Sequence, residues 1–311
     1  MKTLAKIQAL FLIFFCISCW PKPKEGFRDP IKIEVTSGIT FYNLYLNNMS
    51  WGPDNIHIVG EDNRWAFSTE VYIWNMITRE YTLISDGIQN YIDGSPAWSP
   101  DGSRIVYYST KGLDDLHLLS VNLETMETTP FASGSQASWF PDNSKVAIKT
   151  RSSVRILDID PNNSYTIWSM HARGSNYIRK ISVSPAGNYI AVLLNNDLVI
   201  IPMNGDEVYT LYSSLLSSIV LDWSPDEQWV IVEEMSSEPD GLIAIQTNST
   251  CVTDLLTEND LPGMITSEFA WSPDNSTIVV DGNHNEIRGA FFIDTTIPLI
   301  QDWLSSGTCG N

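Results

Sequence analysis

Motifs of catalytic and nucleotide-binding sites are absent from this sequence. It contains no Gly-x-Ser-x-Gly nucleophile elbow, no His-Glu-x-x-His metal motif, no P-loop and no glycine pattern of a dinucleotide-binding turn. Each of these motifs places a reactive group or a phosphate cradle at a fixed spacing, so their absence excludes the motif-bearing members of those enzyme classes. The sequence therefore predicts no catalytic residue and no cofactor.

Positive charge is also scarce. The 311 residues include 18 Lys and Arg against 37 Asp and Glu, which gives a net charge of −19. A surface of that sign repels nucleic acid and anionic lipid headgroups, so nucleic acid is excluded as a partner. The charge leaves open cationic partners or a simply solvated acidic surface.

Only the first 19 residues contain a long apolar run. Lys2 and Lys6 precede an apolar run over 9–17, which is the plan of a signal peptide and is short for a membrane span. The run ends at Ile17, Ser18 and Cys19, a sequence that resembles a bacterial lipobox in which Cys16 takes the usual Leu position. We expect a signal peptide over 1–18, a lipidated Cys19 and an extended tether over 19–30, with ordinary secretory cleavage as the alternative.

Cysteine is rare, with four residues in all. Cys16 lies in the predicted signal peptide and Cys19 at its end, which leaves Cys251 and Cys309. An even pair in an exported protein favours a disulfide, which would stabilise the fold by roughly 4 kcal/mol through closure of its long loop.

One phrase, in contrast, occurs six times. Each copy has an aromatic or apolar residue, a Pro-containing turn and an apolar run; the copies are MSWGPDNIHIVG, PAWSPDGSRIVYYS, ASWFPDNSKVAIKT, ISVSPAGNYIAVLL, LDWSPDEQWVIVEE and FAWSPDNSTIVVDG. Counted from residues 51, 98, 139, 183, 223 and 271, the steps are 47, 41, 44, 40 and 48. A strand-rich period in the forties is typical of propellers.

The chemistry of the phrase indicates a tight turn between two antiparallel strands. Pro fixes φ, Asp suits the next turn position, and Gly or Asn follows, as at Asp101, Asp142 and Asp274. The recurring tryptophans are expected to wedge between radially packed sheets; they are Trp51, Trp98, Trp139, Trp223 and Trp271. The sequence predicts an all-β, six-bladed propeller of four-stranded antiparallel blades over 31–311, with seven blades as the alternative.

The phrase resembles the WD40-like "PD" repeat of TolB-type propellers, over residues 40–305. The fourth copy departs most, with Val183 for Trp and Ala186 for Asp. TolB proteins carry a further α/β domain before the propeller, and we expect that domain to be absent here. Of segments 31–35 and 39–46, one is expected to lead into blade 1 and the other to add an outer strand to the last blade.

Oligogalacturonate lyases with similar repeats carry a metal site on the propeller axis, which requires ligands at equivalent places in several blades. The four histidines fall at non-equivalent places; they are His57, His117, His171 and His284. Four aspartates are candidate calcium ligands but lack the spacing of a known loop; they are Asp93, Asp114, Asp115 and Asp281. We therefore predict no metal site.

Loops between blades and between second and third strands are the expected binding face. The segment 171–180 is a basic island on an acidic protein, and Arg and Tyr are common interface anchors. The candidate partner-binding residues are Tyr91, His171, Arg173, Tyr177 and Arg179.

The hypothesis is a non-catalytic envelope or cell-surface lipoprotein that binds another envelope protein. Two alternatives remain: a lyase, lactonase or glycan-active enzyme with its site at the channel mouth, and a polysaccharide-binding protein that uses Trp65, Tyr91 and Tyr177. Ordinary solvated loop residues would give the same pattern.

Overall fold

The computed structural model describes residues 32–44, 46–65, 68–85, 91–111, 117–159, 164–169, 177–213, 215, 218–234, 241–249, 251–257, 260–298 and 300–301. Within these residues the chain forms six antiparallel sheets arranged in sequence order, which are the six blades of a propeller. The predicted all-β class, four-stranded blades and blade count are confirmed, with a fifth strand added to blade 6.

The strands of the first half of the chain are β1 (Lys32–Thr36), β2 (Ile39–Tyr42), β3 (Asn47–Trp51), β4 (His57–Trp65), β5 (Ser68–Asn75), β6 (Tyr81–Leu83), β7 (Asp93–Trp98), β8 (Arg104–Ser109), β9 (His117–Asn122), β10 (Thr128–Ser133), β11 (Gln136–Trp139), β12 (Lys145–Lys149), β13 (Ser153–Asp158) and β14 (Ser164–Ser169). Blade 1 is β3 to β6, blade 2 is β7 to β10, and blade 3 is β11 to β14.

The remaining strands are β15 (Ile178–Val183), β16 (Tyr189–Leu194), β17 (Asp197–Pro202), β18 (Tyr209–Ser213), β19 (Leu221–Trp223), β20 (Trp229–Glu234), β21 (Gly241–Gln246), β22 (Val252–Thr257), β23 (Met264–Trp271), β24 (Thr277–His284) and β25 (Ile287–Asp294). Blade 4 is β15 to β18 and blade 5 is β19 to β22.

The ring closes through the beginning of the described chain. Blade 6 has the strand order β23, β24, β25, β2, β1 from the axis outwards, and β2 pairs with β25 from Ile39↔Ile293 to Tyr42↔Ala290. The expectation that one of the two leading segments would enter blade 1 is therefore wrong, because both join blade 6. The reason is that β2 covers the edge of β25 and buries Ile39 and Phe41 in the core.

Six apolar clusters hold the blades together, one at each junction. Trp98 of blade 2, for example, packs with Val59, Val71 and Ile73 of blade 1. Trp223 of blade 5 packs in the same way against blade 4. The tryptophans thus lie as wedges between neighbouring blades, where the two sheets together bury them.

The six turns of the repeated phrase share one backbone geometry. The second residue after the turn proline has a positive φ in every blade, between 58° and 77°; these residues are Asn55, Gly102, Asn143, Gly187, Glu227 and Asn275. Gly and Asn tolerate this left-handed conformation best, which explains their recurrence. Glu227 is the exception.

Serine and aspartate side chains close these turns. Asp101 Oδ1 accepts hydrogen bonds from Ser99 Oγ at 2.7 Å and from the Ser103 N–H at 2.9 Å. Ser99 Oγ in turn accepts the N–H of Arg104, the first residue of β8, at 3.0 Å. The blade 2 turn therefore satisfies these polar groups from within and sets the start of its second strand.

Blade 4 replaces the two missing residues by contacts from its neighbours. Phe140 of blade 3 lies in the same buried cluster as Val183 and supplies apolar volume at the junction where the other blades have Trp. Glu227 of blade 5 accepts the Ala186 N–H at 2.7 Å and Asn188 Nδ2 at 2.9 Å, where the other blades have Asp.

Because the strands alternate in direction, the propeller has two distinct ends. We call the end with the six Pro-containing turns the turn face. The opposite end, which carries the loops between second and third strands and between blades, is the loop face.

Candidate functional site

The innermost strands place two rings of side chains around the propeller axis. One ring stands one residue before the recurring tryptophan position, and the other stands three residues before it, since alternate residues of a strand share a face. The axial cavity is lined from these rings by Asn48, Ser50, Ser95, Ala97, Gln136, Ser138, Lys180, Ser182, Asp222, Glu268 and Ala270. Most of these side chains are polar.

Part of this polarity holds neighbouring blades together. Ser138 Oγ accepts the Val183 N–H at 2.9 Å across the junction of blades 3 and 4. Gln136 makes two bonds to the backbone of Ile181, at 3.0 and 3.2 Å. These side chains have a structural role that accounts for their polar atoms.

The cavity has a volume of about 310 Å³. It extends from the ring three residues before the tryptophan position, which includes Lys180 and Glu268, to Pro100 and Pro273. These two prolines belong to the turns, so the cavity reaches the turn face. Trp51, Trp98, Trp139 and Trp271 contribute to its wall. About ten water-sized volumes of liquid would fill such a space.

Glu268 is the most unusual group in the cavity. The residue is 2% exposed, and its Oε1 atom has no hydrogen-bond partner. Burial raises the pKa of Glu268 to about 7, since Lys180 and the Met49 N–H lower it less than burial and the charges of Asp281 and Glu61 raise it. The carboxyl thus titrates near neutral pH.

Asp222 provides a second acidic group on the neighbouring blade. Its carboxylate accepts the Trp223 N–H at 2.8 Å and, across the junction, the Trp271 N–H at 3.0 Å. Burial raises the pKa of Asp222 to about 6 although these bonds and Lys180 lower it. Asp222 therefore has partners that Glu268 Oε1 lacks.

Blades 3 and 4 supply the opposite charge. Lys149 Nζ donates to the Arg179 carbonyl at 2.7 Å, and burial followed by the charge of Lys180 lowers the pKa of Lys149 to about 8. Lys180 itself lines the cavity. The cavity thus has one cationic group, Lys180, on blade 4, and two acidic groups, Asp222 and Glu268, on blades 5 and 6.

The loop face carries a second candidate surface. Four exposed large hydrophobic residues lie on it, with exposed fractions between 37% and 53%: Ile92, Tyr177, Ile219 and Ile287. The Arg179 guanidinium carbon lies 5.6 Å from the centroid of the Tyr177 ring, a cation–π arrangement. Such a mixture of aromatic, aliphatic and arginine side chains is typical of interface anchors.

The predicted partner-binding residues are only partly accounted for. Tyr177 and Arg179 lie together on the loop face, whereas Tyr91 lies at the junction of blades 1 and 2, where its carbonyl accepts the Thr69 N–H. His171 and Arg173 lie outside the described residues, as do Cys19, Cys309, Asp114 and Asp115.

The lipidation of Cys19 and the Cys251–Cys309 disulfide stay predictions. Cys251 is partly buried against the cluster between blades 5 and 6. No group of three or more His, Cys, Asp and Glu that could hold a metal ion occurs within the described parts of the chain. Those parts also contain no helix long and apolar enough to cross a membrane.

Sequence reasoning missed the three charged residues of the cavity, Lys180, Asp222 and Glu268. The available signal was positional: each stands one or three residues before the tryptophan position of its repeat, where the other blades have the uncharged residues Ser, Ala, Asn, Gln or Val. A charged residue at such a position faces the axis.

No protein-family model matches the sequence, and no curated protein matches it significantly. Solved structures do share its fold. A putative TolB from Agrobacterium tumefaciens matches with a TM-score of 0.59 at 14% identity, over 83% of this chain and 94% of that one. TolB from Acinetobacter baumannii matches with a TM-score of 0.56 at 13% identity, over 73% of this chain, and the match spans 60% of that protein's length.

An oligogalacturonate lyase solved with manganese is also similar, with a TM-score of 0.51 at 12% identity over 86% of this chain and 95% of that one. At these identities the likeness concerns the fold, which is that of TolB-like six-bladed propellers. It does not extend to activity, because unrelated functions share propeller folds.

Proposed function

We propose that this protein is an exported, lipid-anchored propeller that binds a partner protein of the cell envelope through its loop face. The observation that carries the proposal is the exposed group of Ile92, Tyr177, Ile219 and Ile287 on that face, together with the Arg179–Tyr177 pair. Exposed apolar side chains that share one face favour a protein interface over a purely solvated surface.

Charge favours a partner with an acidic patch. Removal of residues 1–18 would remove Lys2 and Lys6, so the mature chain would carry 16 − 37 = −21 charges. On that background Arg179 lies on the loop face beside Tyr177, and the sequence has Arg173 a few residues before it, which makes this a locally cationic region of the chain. Such a region steers an acidic surface towards the loop face and repels it elsewhere.

The envelope location depends on the sequence around Cys19. A Cys19→Ser variant should be released from the membrane fraction into the soluble exported fraction, since it lacks the thiol that carries the lipid. Equal membrane retention of both forms would contradict the lipid anchor while leaving the loop-face proposal open.

The interface is tested by cross-linked capture from the envelope of the source organism with the full-length protein as bait. Tyr177→Ser and Arg179→Glu should each reduce recovery of the captured partner at least tenfold. The matched control is Tyr165→Ser, because Tyr165 is 44% exposed against 46% for Tyr177 but lies on the outer strand of blade 3.

The proposal is supported if recovery of the partner falls with the two loop-face variants and is unchanged with Tyr165→Ser. Equal recovery with all three baits would overturn the face assignment. The Tyr165→Ser control also shows whether removal of any exposed aromatic ring lowers the recovery.

One observation favours the enzyme alternative. Glu268, with a pKa of about 7 in a cavity beside Asp222 and Lys180, has the property expected of a general acid or base. Turnover of a uronide or lactone substrate that is abolished by Glu268→Gln would support catalysis, and unchanged turnover in that variant would reject this residue as its acid or base.

A further inference from the structure

We infer that the axial cavity is a binding site for a small zwitterionic molecule, whose ammonium group is held by Glu268 and whose carboxylate is held by Lys180. The chemical class is that of a free amino acid or a dipeptide. This site is separate from the loop face and does not depend on the partner proposed above.

The first support is the unsatisfied carboxyl oxygen. Glu268 Oε1 is buried without a hydrogen-bond partner in the wall of a cavity. A buried acceptor left unpaired costs about 1–3 kcal/mol, more if it is charged, so native structures rarely keep one without a role. A ligand N–H inside the cavity would satisfy it.

The second support is the unpaired cation. No hydrogen bond to the Lys180 ammonium is found within the described residues, and no ion pair closer than 4.0 Å joins it to Glu268 or Asp222. Lys180 nevertheless lies near enough to lower the pKa of both acids. The two charges therefore face the same space without neutralising each other by contact.

The third support is the separation of the charges onto different walls. Lys180 belongs to β15 of blade 4, whereas Glu268 belongs to β23 of blade 6, and blade 5 with Asp222 stands between them. A ligand with a single charge would satisfy one wall and leave the other unpaired. A zwitterion satisfies both, so charge complementarity selects a molecule with one charge of each sign.

Volume limits the size of the ligand. A cavity of about 310 Å³ lies at the small end of the range for ligand pockets. The tryptophan rings and the two prolines make the end near the turn face apolar, so an amino acid with a short apolar side chain or a dipeptide fits the lining.

The test uses the full chain and four probes: glycine, L-alanine, glycylglycine and γ-aminobutyrate. Methylammonium and acetate serve as the separated halves of a zwitterion. Isothermal titration at pH 8 should give a dissociation constant below 1 mM for at least one zwitterion, with each half binding at least tenfold more weakly. Quenching of tryptophan fluorescence reports on the cavity wall directly.

Glu268→Gln and Lys180→Met should each weaken binding of that probe at least tenfold. Glu207→Gln and Lys32→Met are the controls, since both residues are exposed and lie away from the cavity, and binding should be unchanged. Near-ultraviolet circular dichroism checks that the variants are folded; Lys180→Met and Glu268→Gln act on opposite walls, so misfolding of one leaves the other as the test.

Binding should also weaken as the pH falls from 8 to 5.5, because a protonated Glu268 cannot pair with an ammonium group. Three outcomes would overturn the inference: no zwitterion binds at 10 mM, the separated halves bind as tightly as the zwitterion, or the two cavity variants bind like the controls. A loop-face variant such as Tyr177→Ser leaves this binding unchanged, so failure here is distinct from failure of the proposed function.

Discussion

The pKa values of acidic side chains are shifted in opposite directions on the turn face and in the axial cavity. On the turn face, hydrogen bonds outweigh burial and lower the pKa of the turn aspartates Asp54, Asp101, Asp142 and Asp274. In the cavity, burial outweighs all other influences and raises the pKa of Asp222 and Glu268. The ionised form therefore stabilises the fold in the first region and destabilises it in the second.

This difference separates residues that build the propeller from residues that are available for another task. A turn aspartate finds most of its partners within three residues, so most of its charge is satisfied locally, and Asp101 also accepts a bond from Asn143 Nδ2 of the next blade. Glu268 Oε1 finds none, and the fold retains it at a cost. Sites where the local rules fail in this way are the expected places of function.

The largest loss of stability is expected from removal of a tryptophan that packs between two blades, Trp223. Trp223 is 2% exposed, stacks on Tyr189 with ring centroids 6.0 Å apart, and donates from Nε1 to the Ser182 carbonyl at 3.2 Å. Trp223→Ala should lower the free energy of unfolding by about 3–5 kcal/mol, because it leaves a cavity and an unpaired carbonyl. Urea denaturation measures the change.

The loop-face counterpart is Tyr177→Ala, which should change that free energy by less than about 0.5 kcal/mol because the ring is 46% exposed. A comparable loss in both variants would mean that the loop face is as important for stability as the wedges, and the distinction between the two regions would fail.

The second prediction concerns how the ionisation of Glu268 changes the stability of the fold with pH. Glu268 has a folded pKa of about 7 against an ordinary 4.5, so below pH 4.5 the group is protonated in both states and has no effect. Between pH 4.5 and 7 the unfolded state loses its proton first, and the folded state becomes less stable by on the order of 3 kcal/mol. Glu268→Gln should therefore stabilise the protein at pH 8 and leave stability nearly unchanged at pH 4.5.

Thermal unfolding at the two pH values checks this sign. Asp101→Asn is the informative comparison, because the lowered pKa of Asp101 means that its ionised form stabilises the fold. Loss of this charge should lower the melting temperature at pH 8. If both variants shifted the melting temperature in the same direction at pH 8, the opposition between the two regions would be refuted.

The sequence predicts the turn face well because the turns are made from local contacts. Pro, Asp and Gly or Asn each act within four residues, so Asp101 and Gly102 could be interpreted without knowledge of the rest of the chain. The blade count followed from the repetition of this unit.

The cavity could not be predicted in the same way. Lys180 and Glu268 belong to blades 4 and 6, and they face one cavity only because the blades are arranged around a common axis. The sequence predicted one outer strand on blade 6 but not that both leading strands join it, since β2 and β25 pair residues about 250 positions apart. Chemistry that depends on such distant pairs is not encoded in any short stretch.

A smaller effect is expected from a single turn cap. Asp101→Ala removes the acceptor of four hydrogen bonds, three within its own turn, from Ser99 Oγ, Ser103 N–H and Ser103 Oγ, and one from Asn143 Nδ2 of blade 3 at 2.9 Å. The loss should be about 1–2 kcal/mol, because the turn is exposed and water replaces part of the bonding. Asp101→Asn keeps an acceptor oxygen and should recover part of this loss; an Asn variant as unstable as the Ala variant would show that charge, and not the hydrogen bonds, sets the stability of the turn.

The smallest change in stability is expected at the blade 4 turn, which has Ala186 where the other turns have an aspartate. Glu227 adopts a φ of 59° and caps the blade 4 turn at the Ala186 N–H and Asn188 Nδ2. In Glu227→Gly the relief of left-handed strain, about 1 kcal/mol, should offset the lost bonds, so stability should hardly change.

Ala186→Asp alone should gain little either, since the new carboxylate would stand beside Glu227. The double variant should be about 1 kcal/mol more stable than the parent, because Asp at 186 can then close its own turn as in the other blades. A double-mutant cycle in urea measures this coupling. Strict additivity of the two substitutions would mean that Glu227 does not substitute for the missing aspartate, and that the divergence of blade 4 is tolerated without compensation from blade 5.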